Sequence, residues 1–191
     1  MGYSVGVLKP IETGVTDTPN DGLELLESAT AYNKNLSHLS VDDITPLQFS
    51  LPAAPYVASG GVDIDLEIFE IAASKIEQYC DILLIEGAGG ALVPIDKNHY
   101  MIDLAKFLNA SVLLVSHCSL GCINDTLLNR HLLDSYDIDY EIAFNCRDDG
   151  FESISKRYFL DNFEHIYEIN GDISALLQSL LDKISPNEES Q

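Results

Sequence analysis

An α/β fold, a mostly parallel sheet with helices on both faces, is what this sequence predicts, on three observations. Five short apolar runs show little polar alternation, amphipathic segments of helical length separate them, and the first four runs lead into chemically versatile residues. Strands covered on both faces read as continuous apolar runs, and strands alternating with helices imply right-handed βαβ crossovers.

The runs are SVGVL before Lys9, DILLI before Glu86, SVLLVSH from Ser111, EIAFNC from Glu141 and HIYEI from His165. Helices are expected between them. The first covers Asp63 to Tyr79, where Leu66, Phe69, Ile71, Ala73 and Ile76 form the apolar stripe. Others are expected over Tyr100 to Asn109, Cys122 to Tyr136, Ser153 to Phe163 and Asp172 to Ile184. From Asn33 to Gly61 the periodicity is broken by Pro46, Pro52, Pro55 and a Gly-Gly pair, which reads as one long loop. With 191 residues the chain is expected to form a single domain over residues 1–185, followed by a polar tail over 186–191.

Lys and Arg number 10 against 31 Asp and Glu, a formal net charge of −21. Such a surface repels phosphate backbones and anionic lipid, and no basic stripe offsets it, so neither nucleic acid nor membrane is an expected partner. A phosphate ligand would need divalent cations or a few focused lysines. No apolar run reaches the ~20 residues of a bilayer span, and MGYSVGVLKP lacks the regions of a signal peptide. A cytoplasmic location is therefore expected, and with it reduced core thiols at Cys80, Cys118, Cys122 and Cys146. His117, Cys118 and Cys122 have too few companion ligands for a metal site.

In an open parallel sheet, ligands bind beyond the carboxyl ends of the strands. Lys9 stands at the first such end with its direction set by Pro10, either as a snorkelling lysine or as a cation aimed at a ligand. Thr13 offers a hydroxyl in the same turn, before Gly14. Glu86 closes DILLI and is followed by Gly87, Ala88, Gly89 and Gly90. An acidic residue at a strand end suits Mg²⁺, and the glycines would let backbone amides face an anion. The same pattern also fits a tight turn. Asp21 opens LELL as an N-cap or as a second magnesium carboxylate.

KPIETG, EGAGG and LGCIN, in that order and spacing, resemble the dethiobiotin synthetases, over nearly the whole chain. The resemblance implies a P-loop NTPase-like fold and an ATP- and Mg²⁺-dependent cyclo-ligase of biotin biosynthesis. Its substrates would be 7,8-diaminopelargonic acid, CO₂ or bicarbonate, and ATP. It further implies that Lys9 stabilises charge on a carbamate and the phosphoryl group, that Thr13 positions the carbamate, and that Asp21 and Glu86 hold Mg²⁺. Asn145 would read adenine, with Gly87 and Gly89 beside the nucleotide. Asn124 and Tyr158 would grip the substrate carboxylate from a neighbouring subunit, implying a homodimer. For Tyr158, packing on an amphipathic helix is the alternative.

The family pattern begins with a GxxxxGK[ST] phosphate loop, and no Gly-Lys pair occurs here. The expectation is therefore an N-terminally shortened synthetase. A related P-loop amide ligase or ATPase, or an inactive remnant, are the competing readings.

Overall fold

The computed structural model describes residues 2–147 and 150–184, so the expected tail lies outside the described residues. The chain divides into two compact units, Met1–Leu108 and Asn109–Gln191. All strand pairings within named strands are parallel, as the unalternated runs require.

In the first unit, β1 (Val5–Leu8) pairs with β4 (Ile82–Ile85), Gly6 opposite Leu83 and Leu8 opposite Ile85. Helices α1 (Asn20–Tyr32) and α4 (Glu67–Glu77) pack against β1. Val7, Leu8, Leu26, Ile44, Ala73 and Ile76 share the resulting core. Gly6 is required by that packing, because a Cβ there would stand 2.7 Å from Cys80 Sγ and 2.8 Å from Ile76 Cγ2. Asn33, buried beyond α1, donates from Nδ2 to the carbonyls of Val5 and Tyr79, which ties the helix end to the sheet.

The stretch expected as one long loop is substantially ordered. After a 3-10 turn at Lys34–Leu36 come α2 (Val41–Ile44), β3 (Leu47–Phe49) and α3 (Pro55–Ala58). β3 pairs with β2 (Ile11–Thr13), the continuation of β1 beyond Pro10. These elements are three or four residues long, too short for a periodic signal, and they are held by tertiary contact instead. Pro46 and Pro55 do not interrupt them: one precedes β3 and the other begins α3, where a missing N–H costs nothing. Ile11, Leu66, Phe69, Ile95, Met101 and Leu104, the last two on α5 (Met101–Phe107), build a second core around this sheet.

In the second unit, β5 (Val112–His117), β6 (Tyr140–Asn145) and β7 (Tyr167–Glu168) lie in that spatial order. Helix α6 (Cys122–Tyr136) has the bounds its pattern predicts. The helix expected from Ser153 to Phe163 is instead two, α7 (Gly150–Ile154) and α8 (Lys156–Asn162), broken at buried Ser155. Phe144, Phe151 and Phe159 stack beneath β6, with ring centroids 4.8 Å apart for Phe144 and Phe151 and 4.5 Å for Phe144 and Phe159. α9 (Ile173–Ile184) closes the far side, with Leu176 buried against Ala143 and Tyr167.

One expectation needs correction. The four thiols are not all reduced: Cys118 and Cys146, with Cα atoms 5.1 Å apart, form a disulfide, while Cys80 and Cys122 are unpaired. The bond joins the residues that follow β5 and β6, which the parallel register of these strands brings side by side, His117 opposite Asn145.

Candidate active site

Lys9 follows the last residue of β1, and its backbone is fixed from one side by an N–H donated to Ile44 O at 2.9 Å. On the other side, Glu86 N donates to Leu8 O at 2.9 Å, extending the parallel ladder by one residue. The two side chains therefore emerge together. Lys9 Nζ donates to Glu86 Oε1 at 2.6 Å and to Gly87 O at 3.3 Å, and pairs with Asp21 Oδ2 at 3.2 Å.

Lys9 does not snorkel. Its residue is only 4% exposed, whereas the Asp21 and Glu86 side chains are 59% and 54% exposed. A buried ammonium is costly unless paired, and two carboxylates and a carbonyl supply the pairing. The carboxylates keep one side toward water. Asp21 and Glu86 lie 65 positions apart in the chain and meet on one cation, a convergence of hard oxygen donors that also suits a divalent ion.

Asp21 is not the N-cap. Helix α1 begins at Asn20 behind Pro19, whose side chain caps nothing, and Asp21 sits in the first turn. The capping acceptor comes instead from Glu12 on β2, which takes Asp21 N on Oε1 at 3.1 Å and Gly22 N on Oε2 at 3.0 Å. Sequence reading missed Glu12. No signal pointed to it, since Thr18, Asn20 and Asp21 all offer ordinary caps near the helix start and only the structure puts Pro19 at the cap position.

Thr13 closes β2 opposite Phe49 and is half-buried. Gly87 follows Glu86 directly, against Met101, whose Cγ would lie 3.1 Å from a Cβ at that position. Gly89 has a φ of +83°, the left-handed region that a glycine adopts without strain. Asp96 anchors the segment beyond this loop. It accepts from the amides of Ile64, Asn98 and His99 at 3.0, 2.7 and 2.8 Å, and from His99 Nδ1 at 3.1 Å. Burial pushes the Asp96 carboxyl up, but these donors together outweigh it and hold it at about 2.

In the second unit, Asn145 ends β6 and is exposed, beside His117 at the end of β5. A cavity of about 350 Å³ opens here, lined by Ser116, His117, Ser119, Asn145 and Arg147 and bordered by disulfide-bonded Cys118. Asn124, exposed in the first turn of α6, donates from Nδ2 to Asp125 Oδ1 at 3.1 Å, while His117 Nε2 donates to Asp125 Oδ2 at 3.0 Å. The His117 and Asn124 donors hold the Asp125 carboxyl below its ordinary value. Tyr158 on α8 is half-buried, edge-on to Phe159 at 5.6 Å, so packing accounts for much of its ring.

The structure thus brings Lys9, Asp21 and Glu86 into contact, places Thr13 and the glycines on neighbouring segments, and sets Asn145 and Asn124 at element ends in the other unit. Among the described residues no group of three or more His, Cys, Asp or Glu forms a metal cluster, and no helix is long and apolar enough to cross a membrane.

A family model described as an AAA domain matches residues 1–173. The chain is 44% identical over 160 residues to the ATP-dependent dethiobiotin synthetase BioD of Sulfurovum sp., covering 83% of this chain and 76% of the relative. It is 35% identical over 182 residues to that of Wolinella succinogenes, covering 93% and 84%. It is 37% identical over 188 residues to that of Helicobacter pylori strain Shi470, covering 94% and 84%. On this likeness the chain belongs to the ATP-dependent dethiobiotin synthetase family.

Proposed function

We propose that this chain serves the ATP- and Mg²⁺-dependent closure of 7,8-diaminopelargonic acid with CO₂ to dethiobiotin. The observation that carries the reading is the meeting of Lys9, Asp21 and Glu86 at the carboxyl ends of β1 and β4.

In this reading CO₂ adds to one substrate amine, with loss of a proton, to give a carbamate, whose oxygen attacks the γ-phosphorus of ATP, displacing ADP and leaving a carbamic-phosphoric anhydride. The second amine then closes the cyclic urea and expels phosphate. Lys9 is the catalytic cation. Its ammonium is a compact point charge at a desolvated strand end, where opposing the charge that develops on the carbamate and phosphoryl oxygens is worth far more than in water. Thr13 positions the carbamate from the neighbouring strand β2, and holding the reactants in line supplies much of the acceleration.

Asp21 and Glu86 would hold Mg²⁺, and their oxygens fit, since both already approach one cation while facing water. When bound, the ion neutralises phosphate charge that a chain of net charge −21 would otherwise repel. Gly87 and Gly89 lie beside the nucleotide, and Asn145 presents an amide donor and acceptor to the adenine edge. Asn124 and Tyr158 take the substrate carboxylate from a neighbouring subunit in a homodimer. The setting is the cytoplasm.

The test is formation of dethiobiotin from diaminopelargonic acid, bicarbonate, ATP and Mg²⁺. It compares the 191-residue chain with the same chain carrying a GxxxxGK[ST] strand, loop and helix ahead of residue 1. Product from either supports the reading. Two folded proteins that make none overturn it.

A further inference from the structure

We propose that Glu12 is a positioning residue: by capping the first turn of α1 it holds Asp21 against the Lys9 ammonium. The proposal rests on the roles given above to Lys9 and Asp21, and concerns what keeps them together.

Glu12 is 7% exposed, and its two oxygens take the amides of Asp21 and Gly22, one each. A helix N-terminus carries partial positive charge and unsatisfied N–H groups, so a carboxylate there is stabilised twice, by the dipole and by the hydrogen bonds. The source of the carboxylate is what matters. Glu12 lies three residues beyond Lys9 on a segment held at both ends, since Lys9 N donates to Ile44 O and Glu12 stands opposite Gln48 in the β2/β3 ladder. Capping from this segment fixes the first turn of α1 relative to Lys9 itself.

A second contact pins the same turn from the other side. A Cβ on Gly22 would run into Thr45 Oγ1 and stand 3.5 Å from Val41 Cγ2, so α1 can sit this low only because residue 22 is glycine. Thr45 is fully buried and follows Ile44, the residue that binds the Lys9 amide. Both pins therefore refer Asp21 to the backbone that carries Lys9. The need is evident from exposure: an Asp21 side chain 59% open to water would hold an ion pair weakly unless its backbone were placed for it.

The experiment measures how fast the Lys9 amine is acetylated under native conditions, read by mass spectrometry, in the wild-type chain and in Glu12→Ala, Glu12→Gln, Asp21→Asn and the Glu12→Ala/Asp21→Asn double variant. Asp21→Asn and Glu12→Ala should each raise the rate about three- to tenfold. Glu12→Gln, which keeps one acceptor oxygen and is the fallback if the alanine variant does not fold, should raise it less. The double variant should match Asp21→Asn alone, because Glu12 acts through Asp21.

Leu26→Ala, a core truncation elsewhere on α1, should lower the melting temperature and leave the Lys9 rate unchanged. A wild-type Lys9 rate in the Glu12 variants, additive effects in the double variant, or an equal rise in Leu26→Ala would each overturn the proposal. The readout uses neither ATP nor product, so absence of dethiobiotin synthesis would count against the proposed function and not against these rates.

Discussion

In Met1–Leu108 Lys9, Asp21 and Glu86 touch one another, whereas in Asn109–Gln191 Asn145 and Tyr158 are carried separately, each by its own element. Lys9 lies between Asp21 and Glu86 and donates to Gly87 O, so ion pairs between segments placed by their backbones make up that site. Asn145 and Tyr158 instead stand on β6 and α8, which are set by the stacked rings of Phe144, Phe151 and Phe159. The difference teaches where each region is fragile. The first unit should lose chemistry before it loses its fold, and the second should lose both together.

The largest effect that would sharpen this contrast is expected from Lys9→Gln. Product formation should fall by about 10³-fold or more. The melting curve should hardly move, because the two carboxylates left behind face water. Near-normal turnover in this variant would remove Lys9 from its role.

Phe159→Ala should act in the opposite sense. Phe159 is fully buried at the centre of the second unit's aromatic cluster, and its truncation should cost about 3–5 kcal/mol. Hydrogen exchange would locate the loss: amides of β5 and β6 should lose protection ahead of those in β1 and β4. Equal loss in both units would break the comparison.

The first unit also has a purely structural charge. Asp96, with a side chain 1% exposed, sits at about 2 in the folded state against an ordinary value near 4. A lowered carboxyl contributes stability that is present above the unfolded value and lost as pH falls through the folded one. Denaturant titrations from pH 5 to pH 2 should therefore show about 2 kcal/mol of stability disappearing mainly below pH 4. In Asp96→Asn that acid-dependent part should be absent. An unchanged pH profile in the variant would place the acid sensitivity elsewhere.

The smallest effect is expected at Asp125, whose contacts with His117 and Asn124 are exposed. Asp125→Asn should leave the melting temperature unaltered. A clear drop would mean that the polar ends of the second unit are coupled more tightly than their separate supports suggest.

Local pattern made much of this legible. The apolar runs mark every strand of four residues or more, and α6 begins and ends where its periodicity does. Lys9, Glu86 and Asn145 could be picked out because a run that ends on a polar residue marks a strand's carboxyl end. The short elements between Asn33 and Gly61 could not, since β3 at three residues is a strand only through its pairing with β2. Glu12 was hidden for a related reason: within KPIETG it looks like one more acidic residue of a very acidic chain. Only the fold carries it to a helix that starts eight residues later, behind a proline.

The sequence by itself determined the parallel α/β class, the strand ends that bear the candidate chemistry and, through its motifs, the family. Those properties reside in side-chain periodicity and in residue types at fixed spacing, which need no partner to be read. The tertiary structure alone decided that Lys9 is buried between two carboxylates, that Glu12 rather than Asp21 caps α1, and that Cys118 and Cys146 are joined across 28 positions. Each depends on the distance between segments remote in the chain, and that distance is set by core packing and strand register.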